Sequence, residues 1–158
     1  MNQLLHAYRR VMAAFSALQS PMLLAVRLYW GYQFVQAGWG HLHSLPKFAS
    51  YLASLNIPLS GLNAPFIGIL EFVGGILLMF GLFSRPIAFL LTCDMLVAFW
   101  KGEPDAFFSF FSDLTAGTSK FVDATAYTFL FAALMILIFG AGLYSLDTLI
   151  AKRLKTAE

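Results

Sequence analysis

Residues 65–83 read PFIGILEFVGGILLMFGLF, a run whose single ionisable side chain is Glu71. A helix of roughly 20 mostly apolar residues is what crosses the ~30 Å hydrocarbon layer of a bilayer. The stretch therefore reads as a membrane span with a carboxyl group inside it. Three other stretches share this character, at about 21–43, 86–101 and 124–146. Arg27, Gln33 and Gln36 interrupt the first and Asp94 the third, which is short and borrows from its flanks. Residues 124–146 carry no charge.

Composition supports the same reading. The chain has 158 residues, 59% of them hydrophobic and only 11% charged, with a mean hydropathy of +0.75. Soluble domains carry about 25% charged residues because their surface must face water. A short chain with so few charges would expose large apolar patches in water, whereas lipid accepts that surface. The formal net charge is +2, with basic residues scattered except at the two ends, so nothing points to nucleic acid. Cys93 is the only cysteine, which excludes an internal disulfide and any paired-cysteine metal or redox motif.

The segments between spans read as turns and loops. Leu45-Pro46 and the segment 56–63, with Pro58 and Gly61, are expected to interrupt any helix in the first loop. Ser84-Arg85-Pro86 reads as a very tight turn, with Pro86 suited to the first turn of the next helix. In the loop 101–123, the run Phe107-Phe108-Ser109-Phe110-Phe111 reads as an aromatic patch at the membrane interface. Within residues 2–19, Leu4, Tyr8, Val11, Phe15 and Leu18 fall on one helical stripe with Arg9 and Arg10 off it, the pattern of an amphipathic helix on the membrane surface. A cleaved signal peptide is the rival reading of that end. The expected fold is an all-α integral membrane protein: a four-transmembrane-helix bundle with an N-terminal amphipathic interfacial helix, forming a single membrane domain over 1–158. Lysine and arginine bias sets orientation. Arg9, Arg10, Arg85, Lys152, Arg153 and Lys155 fall on one side; Lys47, Lys101 and Lys120, offset by Glu103, Asp105, Asp113 and Asp123, fall on the other. Both termini are thus expected in the cytoplasm.

Charged groups at mid-membrane cost about 2.5–3.5 kcal/mol on insertion scales, so each calls for a partner, water or a function. Steps of three and four share a helix face. This puts Arg27, Gly31, Phe34, Gly38 and His41 on one stripe of the first span, and aligns Glu71 with Gly75 and Leu78 in the second. Small residues beside charged ones let helices approach closely, as a polar seam inside a bundle requires. Two polar groups are expected: an outward pocket of Glu71, Asp94, Gln36 and His41, and an inner latch of Arg27, Arg85 and Asp147. Arg27 has two readings, snorkelling to the interface or pairing with Asp147 to fix the bundle. His41 reads either as an ordinary interfacial histidine or as a ligand and proton-transfer group. Cys93 reads as a small packing residue, and Trp30, Trp39 and Trp100 as interface anchors or stacking platforms. His41, His43, Glu71 and Asp94 come from three helices without local ligand spacing, so no metal is expected.

Taken in order, these motifs resemble the DoxX family. The first span reads Arg27-Leu28, Gly31, Phe34, Gly38 and His41-Leu42, similar to the family's opening arginine, spaced glycines and Gly-x-x-Lys-Leu ending. The second reads Gly68, Glu71, Gly74-Gly75 and Gly81-Leu82-Phe83-Ser84-Arg85, like the family's Glu-x-x-Gly-Gly and Gly-Leu-x-Thr/Ser-Arg. The end reads Gly140-Ala141-Gly142 and Ser145-Leu146-Asp147, like Gly-x-Gly followed by Ser-Leu-Asp. The likeness covers about residues 21–147. It implies a four-helix bundle in the bacterial inner membrane, related to a subunit of a thiosulfate:quinone oxidoreductase, with Arg27, Glu71, Arg85 and Asp147 as family positions. His41 stands where the family has lysine, and Asp94 makes the outer pocket more acidic.

The function expected from residues and resemblance together is an inner-membrane component of a quinone-linked redox system handling a small, sulfur-type substrate. Glu71 and Asp94 would carry protons, Gln36, His41 and Trp39 would bind the head of a quinone, and Arg27, Arg85 and Asp147 would form the structural latch. No electron carrier is intrinsic to the chain, so this reading calls for a bound quinone or a redox protein partner, within the lipid bilayer and with scope for a homo-oligomer. The alternatives are a small-molecule or ion carrier, which the charged seam suits, and a non-catalytic assembly scaffold.

Overall fold

A computed structural model describes residues 2–112 and 117–156, apart from the side chains of 2–5, 7, 8, 10, 11, 13, 14, 110–112 and 117–119. Asp113, the side chains of Leu4, Tyr8, Arg10 and Val11 in the N-terminal stripe, and those of Phe110 and Phe111 in the aromatic run lie outside the described residues. Among the described residues the regular structure is helical, as α1 (Asn2–His43), α2 (Leu45–Ser54), α3 (Ser60–Phe80), α4 (Ser84–Gly102), α5 (Pro104–Ser112), α6 (Gly117–Asp123), α7 (Thr125–Phe139) and α8 (Leu146–Thr156), joined by short turns. Four of them, α1, α3, α4 and α7, pack in a ring, each against the next. The core they enclose includes Phe34 of α1, Leu78 of α3, Leu91, Met95 and Phe99 of α4, and Ala133 and Ile136 of α7, all buried.

Several boundaries differ from the sequence reading. Residues 2–19 are not a separate helix: α1 runs unbroken for 42 residues, with Pro21 inside it. Proline removes one backbone donor but does not by itself compel a break. The first loop holds a helix after all, because Pro46 sits in the first turn of α2, where its missing N–H is an orphan anyway. The last span is shorter than 124–146. α7 ends at Phe139, before Gly140 at φ +77°, and its 15 residues extend only ~22 Å at 1.5 Å per residue. Among the described residues, only α3 is both long and apolar enough to cross a membrane on those two criteria. Arg27 in α1 and Arg85, Asp94 and Lys101 in α4 dilute the apolar character of those helices.

Two features explain how the ring holds. α1 and α3 run antiparallel with their backbones almost touching. A Cβ on Gly31 would lie 2.9 Å from the Gly75 carbonyl oxygen, one on Gly75 2.5 Å from that of Gly31, and one on Gly38 2.7 Å from that of Gly68. Glycine thus recurs every seven residues on both helices, as interfaces without a hydrophobic driving force require. The outside is the second feature. Tyr29, Phe66, Phe80, Phe89, Phe131 and Ile138 are each more than half exposed, a surface suited to lipid and not to water.

Gly38→Leu and Gly75→Leu are each expected to lower thermal stability in detergent by roughly 1–3 kcal/mol or more, the usual cost of overpacking. Gly40, with nothing within 4 Å of its Cβ position, is the control: Gly40→Ala should be neutral or slightly stabilising.

Candidate functional site

Antiparallel pairing of α1 with α3 brings His41 to Glu71. Side chains on a helix lean toward its N-terminus. His41 therefore leans back toward the level of Gly38, and Glu71 toward that of Gly68, which are the two glycines in contact. The result is His41 Nε2 at 3.4 Å from Glu71 Oε2, within ion-pair distance but not aligned as a hydrogen bond. Glu71 is almost fully buried, at 3% exposure. Phe48 of α2 stacks flat on the His41 ring, centroids 3.8 Å apart and planes at 12°.

Asp94 reaches the same place from α4. Glu71 and Asp94 each lie ten residues from the α3–α4 turn at Gly81 and Ser84, about 15 Å along antiparallel helices. They stand at one depth. Both line a single cavity of about 280 Å³, together with His41, Phe48, Tyr51, Leu52, Met95, Phe129 and Glu103. One oxygen of each carboxylate, Glu71 Oε2, Asp94 Oδ2 and Glu103 Oε2, is buried without a hydrogen-bond partner among the described residues. Buried carboxyl groups seldom stay unsatisfied without a reason. Three of them on one cavity mark a site with acceptor, or, when protonated, donor capacity to spare.

Of the expected pocket, Glu71, Asp94 and His41 come together. Gln36 does not: it is exposed and donates to the Tyr32 hydroxyl at 2.9 Å. Trp39 also stands outside the lining, half exposed and packed on His43 and Phe72. Positions 36 and 39 fall on other faces of α1 than Ala37 and His41, which do line the cavity. Glu103 is a site residue that spacing could not supply. It follows α4 as the C-cap residue with φ −131°, so helical periodicity from Asp94 does not reach it. Phe48 and Tyr51 lie beyond reach of periodicity for a related reason, since Pro46 and Pro58 predict a broken loop where α2 forms. Among the described residues, no three His, Cys, Asp or Glu side chains converge as metal ligands.

The latch lies at the opposite end of the bundle, and its hydrogen bonds all grip backbone. Asp147 accepts hydrogen bonds from the backbone N–H groups of Phe83 (2.8 Å) and Ser84 (2.9 Å), and its own N–H donates to the Gly81 carbonyl at 2.9 Å. A carboxylate at a helix N-terminus satisfies orphan donors and complements the helix dipole. α4 has no acidic residue of its own in the first turn, so the start of α8 supplies one. Arg27 does not snorkel, and it makes no ion pair within 4.0 Å with Asp147, although that charge acts on it. It is fully buried, donates to the Tyr144 carbonyl at 2.5 Å, and occupies the space a side chain on Gly81 would need. Gly81, at φ +68°, also ends α3, and its missing Cβ is required on both counts. Arg85 donates to the Ile138 carbonyl at 3.4 Å. All three latch residues thus tie the 138–147 segment to the rest.

Against this geometry, comparison with known proteins is decisive on family. The DoxX family model matches residues 22–104. The chain belongs to the DoxX family. Like other DoxX proteins it is a membrane protein. It is also similar to the inner membrane protein YqjF of Escherichia coli (strain K12), at 28% identity over 137 residues, covering 86% of this chain and 97% of the relative. No solved structure matches. The matched DoxX region contains His41, Glu71, Asp94 and Glu103 together with Arg27 and Arg85, while Asp147 lies beyond it.

Asp147→Ala should lower the melting temperature measured in detergent by an amount equivalent to about 1–3 kcal/mol, the usual cost of leaving such donors unpaired. Asp147→Asn keeps one acceptor oxygen and should lose less.

Proposed function

We propose that this protein is the membrane component of a quinone-linked redox system, with the cavity between α1, α3, α4 and α7 as the seat of the quinone head. The observation that carries the reading is the convergence of Glu71 and Asp94, with orphaned buried oxygens, on a cavity of about 280 Å³. In this reading α1, α3, α4 and α7 are four spans of one membrane domain over 1–158, in the bacterial inner membrane, with both termini in the cytoplasm. YqjF, itself called an inner membrane protein, supports the location. The basic residues gathered on the 85 and 152–155 side support the orientation.

The residues fit a quinone head. Ligand pockets are apolar with a few placed polar groups, and here Phe48, Leu52, Met95 and Phe129 supply the walls. Protonated carboxyls or His41 would donate hydrogen bonds to ring oxygens, and the same groups would hold and deliver protons. A bound quinone supplies a two-electron, two-proton couple. Electrons must come from a partner redox protein, since the chain carries no group that stores them. The three carboxylates suit a neutral ring better than an anion such as thiosulfate, so a sulfur substrate belongs with the partner. Gln36 and Trp39 have no part in this arrangement.

A second reading draws on Glu103. Three carboxylates on one cavity also suit a small cation or a proton route, and a proteoliposome flux that disappears in Glu103→Gln would favour it.

Native mass spectrometry of gently extracted protein tests the proposal. Wild type should retain about one quinone per chain, and Glu71→Gln and Asp94→Asn should each retain at least ~10-fold less, the ratio expected for losing roughly 1.4 kcal/mol of binding. Gln36→Ala and Trp39→Leu should retain as much as wild type. Equal retention by all variants would place any quinone elsewhere.

A further inference from the structure

At the opposite end of the bundle, α8 and the α3–α4 turn flank a separate open cleft of about 560 Å³. Arg85, Lys152 and Lys155 line it, with Phe83 and Pro86 among its apolar walls. Asp147 is the one acid in the lining, and its two oxygens are already engaged by the Phe83 and Ser84 N–H groups. Among the described residues, the single ion pair within 4.0 Å is His41–Glu71. The three cations therefore face one cleft without a carboxylate partner. Arg85 is held in place: its guanidinium lies 3.4–3.8 Å from where a Cβ on Gly140 would stand, and one of its nitrogens reaches the Ile138 carbonyl.

α8 shows what environment surrounds this cleft. It has no buried residue, and Leu146, Leu149, Ile150 and Leu154 are all exposed. At 100° per residue these four fall within one sector, which Arg153 shares, while the cleft-facing Lys155 falls opposite it and Lys152 between the two. A helix with an unpartnered apolar stripe and a basic face lies at a membrane surface, which sets the cleft behind it at headgroup depth. Cations beside apolar walls match an amphiphile with an anionic head.

We propose that the cleft between α8 and the α3–α4 turn seats the phosphate of an anionic phospholipid, held by Arg85, Lys152 and Lys155. Its acyl chains then run along the exposed apolar surface next to Phe83. Guanidinium and ammonium donors of this kind bind phosphate through charge-assisted hydrogen bonds, and basic pockets beside membrane helices on the cytoplasmic side are suited to such headgroups.

The test uses the full chain, purified and delipidated, then exposed to phosphatidylglycerol or phosphatidylcholine and weighed by native mass spectrometry. Wild type should retain phosphatidylglycerol preferentially. The triple variant Arg85→Gln, Lys152→Gln, Lys155→Gln should lose that preference by at least ~10-fold, because it removes all three basic groups that face the anionic head. The control Lys47→Gln, Lys101→Gln, Lys120→Gln, at sites away from the cleft, should keep it. Should the triple variant fail to fold, Lys152→Glu alone, an exposed change, must still reduce it. An unchanged preference in these variants overturns the proposal. So does preferential retention of inorganic phosphate with indifference to phosphatidylglycerol, which would make the cleft a site for free phosphate.

Discussion

Gly31 and Gly38 of α1 and Gly75 of α3 lie so close to the facing helix that a Cβ on any of them would meet its backbone within 3.0 Å, and one on Gly68 would press on Leu42; this contact sets the geometry of the candidate site. Backbones this near fix the antiparallel register. The register in turn decides which residues of α1 look at which residues of α3. A shift of one turn would separate His41 from Glu71 and leave the carboxyl group facing apolar side chains. The sequence tolerates glycine inside both helices, despite its cost in helix propensity, because the close approach cannot be made otherwise. Where lipid surrounds a helix, burial of apolar surface gives little incentive to associate, so contact of this kind matters more than it would in water.

The rest of the bundle is tied by polar groups acting on backbone. Asp147 caps α4 from a point 63 residues beyond Ser84, and Arg27 joins α1 to the chain after α7 through the Tyr144 carbonyl. Gly81 serves both, by ending α3 in a left-handed conformation and by leaving room for the guanidinium. Polar residues are thus divided between two ends of one bundle. At one end most are engaged by structure, although Arg27 Nε and Nη1 and Ser84 Oγ are buried there without a partner among the described residues. At the other, Glu71, Asp94 and Glu103 keep unsatisfied oxygens that open on a cavity, and it is the cavity beside them that makes this end the candidate site.

Much of this was legible in the sequence because it rests on periodicity. The α1 and α3 glycines and their neighbours His41 and Glu71 follow from steps of three and four, and the separation of Arg27 from the acidic pocket follows from depth along its helix. Depth along antiparallel helices likewise placed Glu71 and Asp94 near one another. What periodicity cannot see lies off the helices or at their ends. Glu103 enters the cavity from a C-cap, and Phe48 from a helix that begins at a proline. Depth along the first span sets Gln36 in the same half as His41 but its face differs, and the structure puts Gln36 and Trp39 outside the pocket. Depth groups Arg27, Arg85 and Asp147 in one latch and leaves Arg27 either to snorkel or to pair with Asp147; the orphan N–H groups at the start of α4 take both carboxylate oxygens, as helix ends left unsatisfied compete for such a group, and Asp147 acts on Arg27 from beyond 4.0 Å.

Labelling with dicyclohexylcarbodiimide, which attacks carboxyl groups in apolar surroundings, tests the shared cavity most directly. The adduct is bulky against a space of about 280 Å³. If Glu71, Asp94 and Glu103 line one cavity, peptide mapping should find these residues labelled in the population, while intact-mass measurement finds no more than one adduct per chain. Chains carrying two adducts on these carboxyls would show that the groups occupy separate sites, and would contradict the account.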